Sequence, residues 1–96
     1  MKLVWHAKAA SDRKKAIQFI ADQNVAAAIN QLDEIERQTD LLIDQPEIGR
    51  RGRIDGTREL VISRTPFIVI YRVRHKIKQV EILRLVHGAQ KWPPKS

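Results

Sequence analysis

Residues 58–87 read RELVISRTPFIVIYRVRHKIKQVEILRLVH, and how this stretch folds decides the architecture of the chain. Phe67–Val73 is β-branched and aromatic with no Gly or Pro, and Val80–Val86 is a second apolar run beyond the polar turn His75–Gln79. Two strand-forming runs joined by a short polar turn predict a β-hairpin. Upstream, Arg58–Ser63 alternates around Leu60 and Ile62 and is closed by Thr65-Pro66, so a third strand precedes the hairpin. A three-stranded meander is therefore expected over residues 57–87. The period of two puts Phe67, Val69, Tyr71 and Val73 on one face, with Ile68, Ile70 and Arg72 on the other. By the same rule Val80, Ile82, Arg84 and Val86 share a face, opposite Glu81, Leu83, Leu85 and His87.

Working outward, residues 47–56 hold three of the four glycines and no hydrophobic period, and read as a loop. Residues 7–45 read as a helical hairpin. Ala10, Ala16, Ile17 and Ile20 recur at helical spacing up to about Gln23, and Gly and Pro are absent. Asn24 is a natural break and cap, because its side chain accepts from the free N–H groups of a following helix. Val25, Ala28, Leu32, Ile35, Thr39 and Leu42 then step by three and four along one seam, and Pro46 stops the helix near Asp44. Lys2–His6 alternates around Leu3 and Trp5 as a short strand over residues 1–6, with Trp5 in the core. Residues 88–96 contain two prolines and are expected to be irregular. The fold class is α+β: an N-terminal strand, then a helical hairpin packed on a small antiparallel sheet that ends in the meander, all in one domain over residues 1–96.

The charge is uneven. The chain has a net charge of +7. Residues 1–49 carry six Lys/Arg against eight Asp/Glu, and residues 50–96 carry twelve against three, so the halves stand at −2 and +9. Such a bias implies a basic surface facing a polyanion or an acidic protein. There is no cysteine, which removes disulfides, thiolate zinc sites and cysteine nucleophiles. No stretch approaches the roughly 20 apolar residues of a membrane span, and a cytoplasmic protein is expected.

The chain shows no Gly-rich phosphate loop, no nucleophile elbow and no close carboxylate pair in its back half. His6, His75 and His87 are widely separated without acidic partners at ligand spacing, so no metal and no cofactor is expected. What remains is a set of cations. Arg84 has apolar neighbours on a strand expected to be central, so it either pairs internally, with Glu59 or Glu81, or joins Arg58 and Arg64 on an anion-binding surface. His87 closes the last strand and is either a polar strand end or a general acid or base. Trp92, after Lys91, either covers the core edge or meets a partner.

Gly56-Thr-Arg-Glu entering a strand, Ile70-Tyr71-Arg72-Val73 ending the next, and Val80-Glu-Ile-Leu-Arg84 with His87 together resemble the ParE/RelE toxin superfamily of type II toxin–antitoxin systems. The helical hairpin and Gln45-Pro-Glu-Ile-Gly49 fit the same pattern, so the resemblance spans nearly the whole chain. It implies a toxin held inactive by a cognate antitoxin in a hetero-oligomer. It also implies one of two targets, DNA gyrase for ParE-like members or the ribosome and its mRNA for RelE-like ones. RelE-type cleavage uses an arginine after the aromatic that opens the Tyr71 strand, where this chain has Ile68, and two lysines on the preceding strand, where it has Glu59 and Val61. Beyond the last strand only His87 and Lys91 stand for a further basic cluster. The resemblance therefore implies the ParE-like branch, with no catalytic residues and a target-binding set of Arg58, Arg64, Arg84, His87, Lys91 and Trp92. Under the ribonuclease alternative Arg84, His87 and Tyr71 would be catalytic. A third alternative is a plain nucleic-acid-binding domain using Arg50, Arg51 and Arg53.

Overall fold

A computed structural model of the chain, describing residues 1–94, shows β1 (Lys2–Trp5), α1 (Ala7–Ala21), α2 (Val25–Asp44), β2 (Arg50–Arg51), β3 (Arg58–Val61), β4 (Phe67–Arg74), a 3-10 turn at His75–Ile77 and β5 (Gln79–His87). Asn24 sits between the helices in an extended conformation, and its Oδ1 accepts from Ala27 N–H at 3.0 Å. That bond satisfies one of the donors a helix start leaves free. Along the seam of α2, Ala28, Ile35, Thr39 and Leu42 are buried and Leu32 is half-buried, whereas Val25, its first residue, is exposed. Thr39 tolerates burial because its hydroxyl donates to the Ile35 carbonyl one turn back, at 2.8 Å.

The five strands form one sheet in the order β1-β5-β4-β3-β2. β3, β4 and β5 are the expected antiparallel meander, but the sheet is mixed, since β1 pairs parallel with β5 along its outer side. The two helices between β1 and the meander supply the long crossover that a parallel pair requires. The stretch expected as loop also contributes β2, two arginines that pair with Glu59 and Arg58 and extend the sheet by one short strand. The helical hairpin covers one face. Its Ala9, Ile35 and Leu42 pack against Ile62, Val69, Tyr71, Val80, Ile82 and Leu85. Trp5 is half-buried beside this core, with the Arg13 guanidinium 4.3 Å from its ring centre.

One departure matters for the site. Tyr71 stands opposite Ile82, yet its neighbour Ile70 stands opposite Arg84, so Leu83 has no partner on β4. This β-bulge inserts one residue into β5 and inverts the alternation beyond it. The helix-facing residues of β5 run Val80, Ile82 and then Leu85, in place of the expected Val80, Ile82, Arg84 and Val86.

Tyr71 ties the long connection from α2 to the sheet. It is fully buried, and its hydroxyl donates to the Pro46 carbonyl at 2.8 Å while accepting from Gly49 N–H at 2.9 Å. Arg58 Nη1 donates to the Gly49 carbonyl at 2.9 Å. A Cβ at position 49 would lie 2.5 Å from the Tyr71 hydroxyl, so only glycine admits this close approach. Burial pushes the Tyr71 phenol above its ordinary pKa, against the opposing effect of the Gly49 N–H, so it stays a neutral donor. Tyr71→Phe keeps the packing and strands a buried N–H and a carbonyl. It should lower the free energy of unfolding by about 1–3 kcal/mol in urea titrations; an unchanged midpoint would show that residues 46–49 are held by other contacts.

Candidate functional site

β1 ends at Trp5, and the last bond on that side of β5 runs from His6 N–H to the Ile82 carbonyl at 2.9 Å. Beyond Ile82 the outer edge of β5 has no strand beside it. Asp12 on α1 takes the place of one. Its carboxylate accepts from Leu85 N–H at 3.1 Å, from Arg84 Nε at 2.7 Å and from Arg84 Nη2 at 3.2 Å. Arg84 is thus internally paired, but with Asp12 instead of Glu59 or Glu81. The bulge turns Arg84 out of the helix-facing row on a stretch of β5 whose edge β1 leaves free, while the two expected partners hold other arginines.

Against this pair lies a cleft of about 370 Å³ between α1 and the ends of β4 and β5. Phe19, Phe67 and Leu85 make its apolar walls, and Arg84, His87 and Gln31 its polar points. The Oε1 of Gln31 is buried there with no hydrogen-bond partner among the described residues. Phe19 is 67% exposed, an uneconomical place for a phenyl ring unless something covers it. The His87 Nδ1 accepts from Ala89 N–H at 3.1 Å, so the neutral ring carries its proton on Nε2. The His87 ring meets Phe67 edge to face at 6.1 Å.

Trp92 joins this end of the molecule. The Arg84 guanidinium lies 5.5 Å from its ring centre, and Arg53 Nη1 donates to its carbonyl at 2.7 Å. Trp92 thereby reaches across the sheet row Glu59–Ile70–Arg84 on the face away from the helices, where Ile70 is only 1% exposed. Its neighbour Lys91 is exposed. The structure gathers Arg84, His87 and Trp92 but leaves the other sequence candidates elsewhere. Arg58 and Tyr71 hold residues 46–49. Arg64 lies in the β3–β4 turn at φ 67°, with Nη1 3.8 Å from Glu34.

The face away from the helices carries two buried carboxylates. Glu59 accepts from Arg50 Nη2 at 3.0 Å, and Glu81 from Arg72 Nε at 2.6 Å. The Arg72 hydrogen bond holds the Glu81 carboxyl below the usual carboxylate range, and outweighs the opposite pull of burial. Among the described residues no cluster of three His, Asp or Glu side chains could hold a metal, and no helix is long and apolar enough to cross a membrane. Sequence reasoning missed Asp12, Phe19, Gln31 and the Arg72–Glu81 pair. Asp12 had one signal, being the lone acid among Lys8, Arg13, Lys14 and Lys15.

Two measurements test these assignments. Asp12→Ala removes the partner of Arg84 and the acceptor of Leu85 N–H, and should cost about 2–3 kcal/mol, discounted for the partial exposure of the pair. Arg84→Met in the Asp12→Ala background should recover part of that loss, whereas additive losses would show the pair to be uncoupled. For Glu81 the folded pKa lies below the unfolded one, so its contribution is present at neutral pH and vanishes as pH falls through the folded value. Stability should therefore decline below the ordinary carboxylate pKa of about 4.3. In Glu81→Gln that acid limb should be shallower, and an identical limb would remove Glu81 from the account.

Comparison with known proteins agrees with this geometry. The family model described as the ParE toxin of the type II toxin–antitoxin system parDE matches residues 3–92. A candidate toxin of Sinorhizobium fredii, Y4kP, is 39% identical over 75 residues, which cover 78% of this chain and 75% of that one. The solved chromosomal ParDE toxin–antitoxin system from P. aeruginosa contains a chain that superposes with a TM-score of 0.80 at 28% identity, covering 91% of this chain and 95% of that one. A chain of the RelBE2 toxin–antitoxin complex from Mycobacterium tuberculosis shares the fold at a TM-score of 0.55 and 23% identity, over 93% and 92% of the two chains. With its bulged sheet, its helical hairpin and a family match over residues 3–92, this chain belongs to the ParE toxin family of type II toxin–antitoxin systems.

Proposed function

We propose that this protein poisons DNA gyrase in the cytoplasm through protein contacts, without chemistry of its own, and that a cognate antitoxin neutralises it by covering the cleft beside α1. The observation that carries the reading is the match to the ParE toxin model over residues 3–92. The fate of the three candidate catalytic residues supports it. Tyr71 is buried with its hydroxyl engaged on both sides, Arg84 is engaged by Asp12, and among the described residues no carboxylate orients His87. Cleavage of a phosphodiester needs an acid and a base converging on one phosphate, with a cation free to hold it. Target contact is assigned to Arg84, His87, Lys91 and Trp92 around the cleft and tail, with Arg58 and Arg64 outside that group.

The antitoxin half of the proposal rests on surface chemistry. Phe19 and the cleft offer apolar area to a segment that folds on binding, and Lys14 and Lys15 offer charge to an acidic one. Two of the structural relatives come from toxin–antitoxin complexes.

A second reading survives on one observation. His87 lines the same cleft as Arg84, where an imidazole, once protonated, would serve as a general acid on ribosome-bound mRNA.

Purified toxin added to gyrase, supercoiled plasmid and ATP should yield protein-linked linear DNA, and added antitoxin should abolish it. His87→Ala should leave growth arrest within about threefold of the parent, in line with a surface substitution that removes no chemistry. Folded toxin that traps no DNA, combined with an arrest that His87→Ala abolishes, would overturn the gyrase reading in favour of mRNA cleavage.

A further inference from the structure

Apart from Arg84 and Trp92 at one end, the sheet face turned away from the helices is not used by the proposed function, and its composition is unusual for an outer face. From the strand register, three rows cross it. The first is Arg50, Glu59, Ile70 and Arg84, spanned by Trp92. The second is Arg72, Glu81 and Val4. The third is Arg74, Gln79 and Lys2. Counting Arg53, whose N–H donates to Glu59, five cations other than the Asp12-bound Arg84 stand against two carboxylates.

The two carboxylates are the most buried charges of the face, at 3% and 6% exposure, while Arg50, Arg72 and Arg74 keep 53%, 40% and 49% of their side chains exposed. Each carboxylate holds an arginine against the sheet by one edge. Arg72 engages Glu81 through Nε alone, which leaves both terminal amino groups outside that bond. Arg50 engages Glu59 through Nε and Nη2, which leaves Nη1 outside it. Arginines fixed in this way lose little side-chain entropy on meeting an oxyanion, and their planar forks suit phosphate.

We infer that this face is a contact surface for the phosphodiester backbone of duplex DNA, carried by Lys2, Arg50, Arg72 and Arg74. Arg50 and Arg72 stand two strands and two residues apart, about 12 Å on standard sheet spacings, which is of the order of the width between phosphate strands across the major groove. A single strand would need bases to stack on exposed rings, but Trp5, Phe67 and Tyr71 belong to the helix side. Trp92 is the one aromatic side chain here among the described residues, and it is already turned against Arg84. An acidic protein segment gains more on the other side of the molecule, where the cleft and Phe19 add apolar burial. The surface extends the gyrase reading, since gyrase holds duplex DNA, and it is measured without gyrase.

The probe is a short fluorescently labelled duplex of arbitrary sequence, titrated with purified toxin and followed by anisotropy at several salt concentrations. Binding should be independent of sequence. The plot of log affinity against log salt should fall with a slope of about −3 to −4, at about −0.9 per phosphate neutralised. Lys2→Gln with Arg74→Gln should weaken binding about tenfold or more near 0.1 M salt and make the slope shallower by about two. Lys14→Gln with Lys15→Gln removes the same charge from α1 and should leave the slope unchanged. Folded toxin that does not bind the duplex at low salt overturns the inference, and so do equal losses from both double variants. A sheet-face pair that keeps DNA binding but loses the antitoxin overturns it too, and assigns the face to an acidic protein. DNA binding without gyrase trapping would remove the gyrase reading and leave this surface standing; trapping by toxin that does not bind DNA alone would do the reverse.

Discussion

Leu83 has no partner on β4, and the placement of the candidate site follows from that one-residue mismatch. A strand alternates its side chains with a period of two, so one extra residue exchanges the two faces for everything beyond it. Without the bulge, Arg84 would point into the packing between sheet and helices, where an unpaired guanidinium is costly, and Leu85 would face away. With it, Leu85 joins the core and Arg84 comes to a strand edge that β1 has already left. The same edge exposes Leu85 N–H. A single carboxylate, Asp12, satisfies both groups, and α1 is thereby fixed against the end of β5. The cleft lies against this joint, which is why its walls come from α1, β4 and β5 together.

A second regularity runs through the charges. Asp12, Glu59 and Glu81 are largely withdrawn from water, and each is held by an arginine that stays closer to solvent than its partner. Replacing such an acid by an apolar residue would release the arginine into solution, where it would sample many rotamers. Beyond what each pair contributes to stability, the carboxylates fix where cations stand. A protein whose back half carries +9 has charge in excess, and orienting it is what the few acids of that half can add.

Much of the fold was legible in the sequence because it depends on local signals. Asn24 marks the break between helices, Pro46 the end of α2, and the runs 67–73 and 80–86 the central hairpin. Each is a property of a few consecutive residues. What was not legible is relational. The parallel pairing of β1 with β5 depends on where the helical crossover returns the chain, and two residues are too few for β2 to have a period. The bulge leaves no mark in a run where Ile82, Leu83, Leu85 and Val86 are all apolar, because alternation cannot be read when both faces are hydrophobic. Hence the sequence points Arg84 to partners on neighbouring strands, whereas its partner lies 72 residues earlier in the chain. Of the candidate site, the participants Arg84, His87 and Trp92 were visible as unusual residues at strand and chain ends. Arg58 and Tyr71 were visible for the same reason but serve to anchor Gly49 and Pro46, and nothing in their local sequence separates the two roles.

The fate of Phe19 connects size to partnership. A chain of 96 residues has little interior, and what it has is filled by one face of the sheet and the seam of α2. α1 places Ala9, Ala16, Ile17 and Ile20 toward that interior, so a large ring at position 19 falls outside it by helical geometry alone. Keeping a phenyl there costs solubility and contributes nothing to the isolated fold. Beside it, Gln31 withdraws a carbonyl oxygen from water without offering it a donor, a further small cost to the free chain. Both costs would be removed together by a segment that covered the ring and donated a hydrogen bond into the cleft. In the reading proposed above, an antitoxin segment that covered them would recover the free energy these deficits hold back in the free chain.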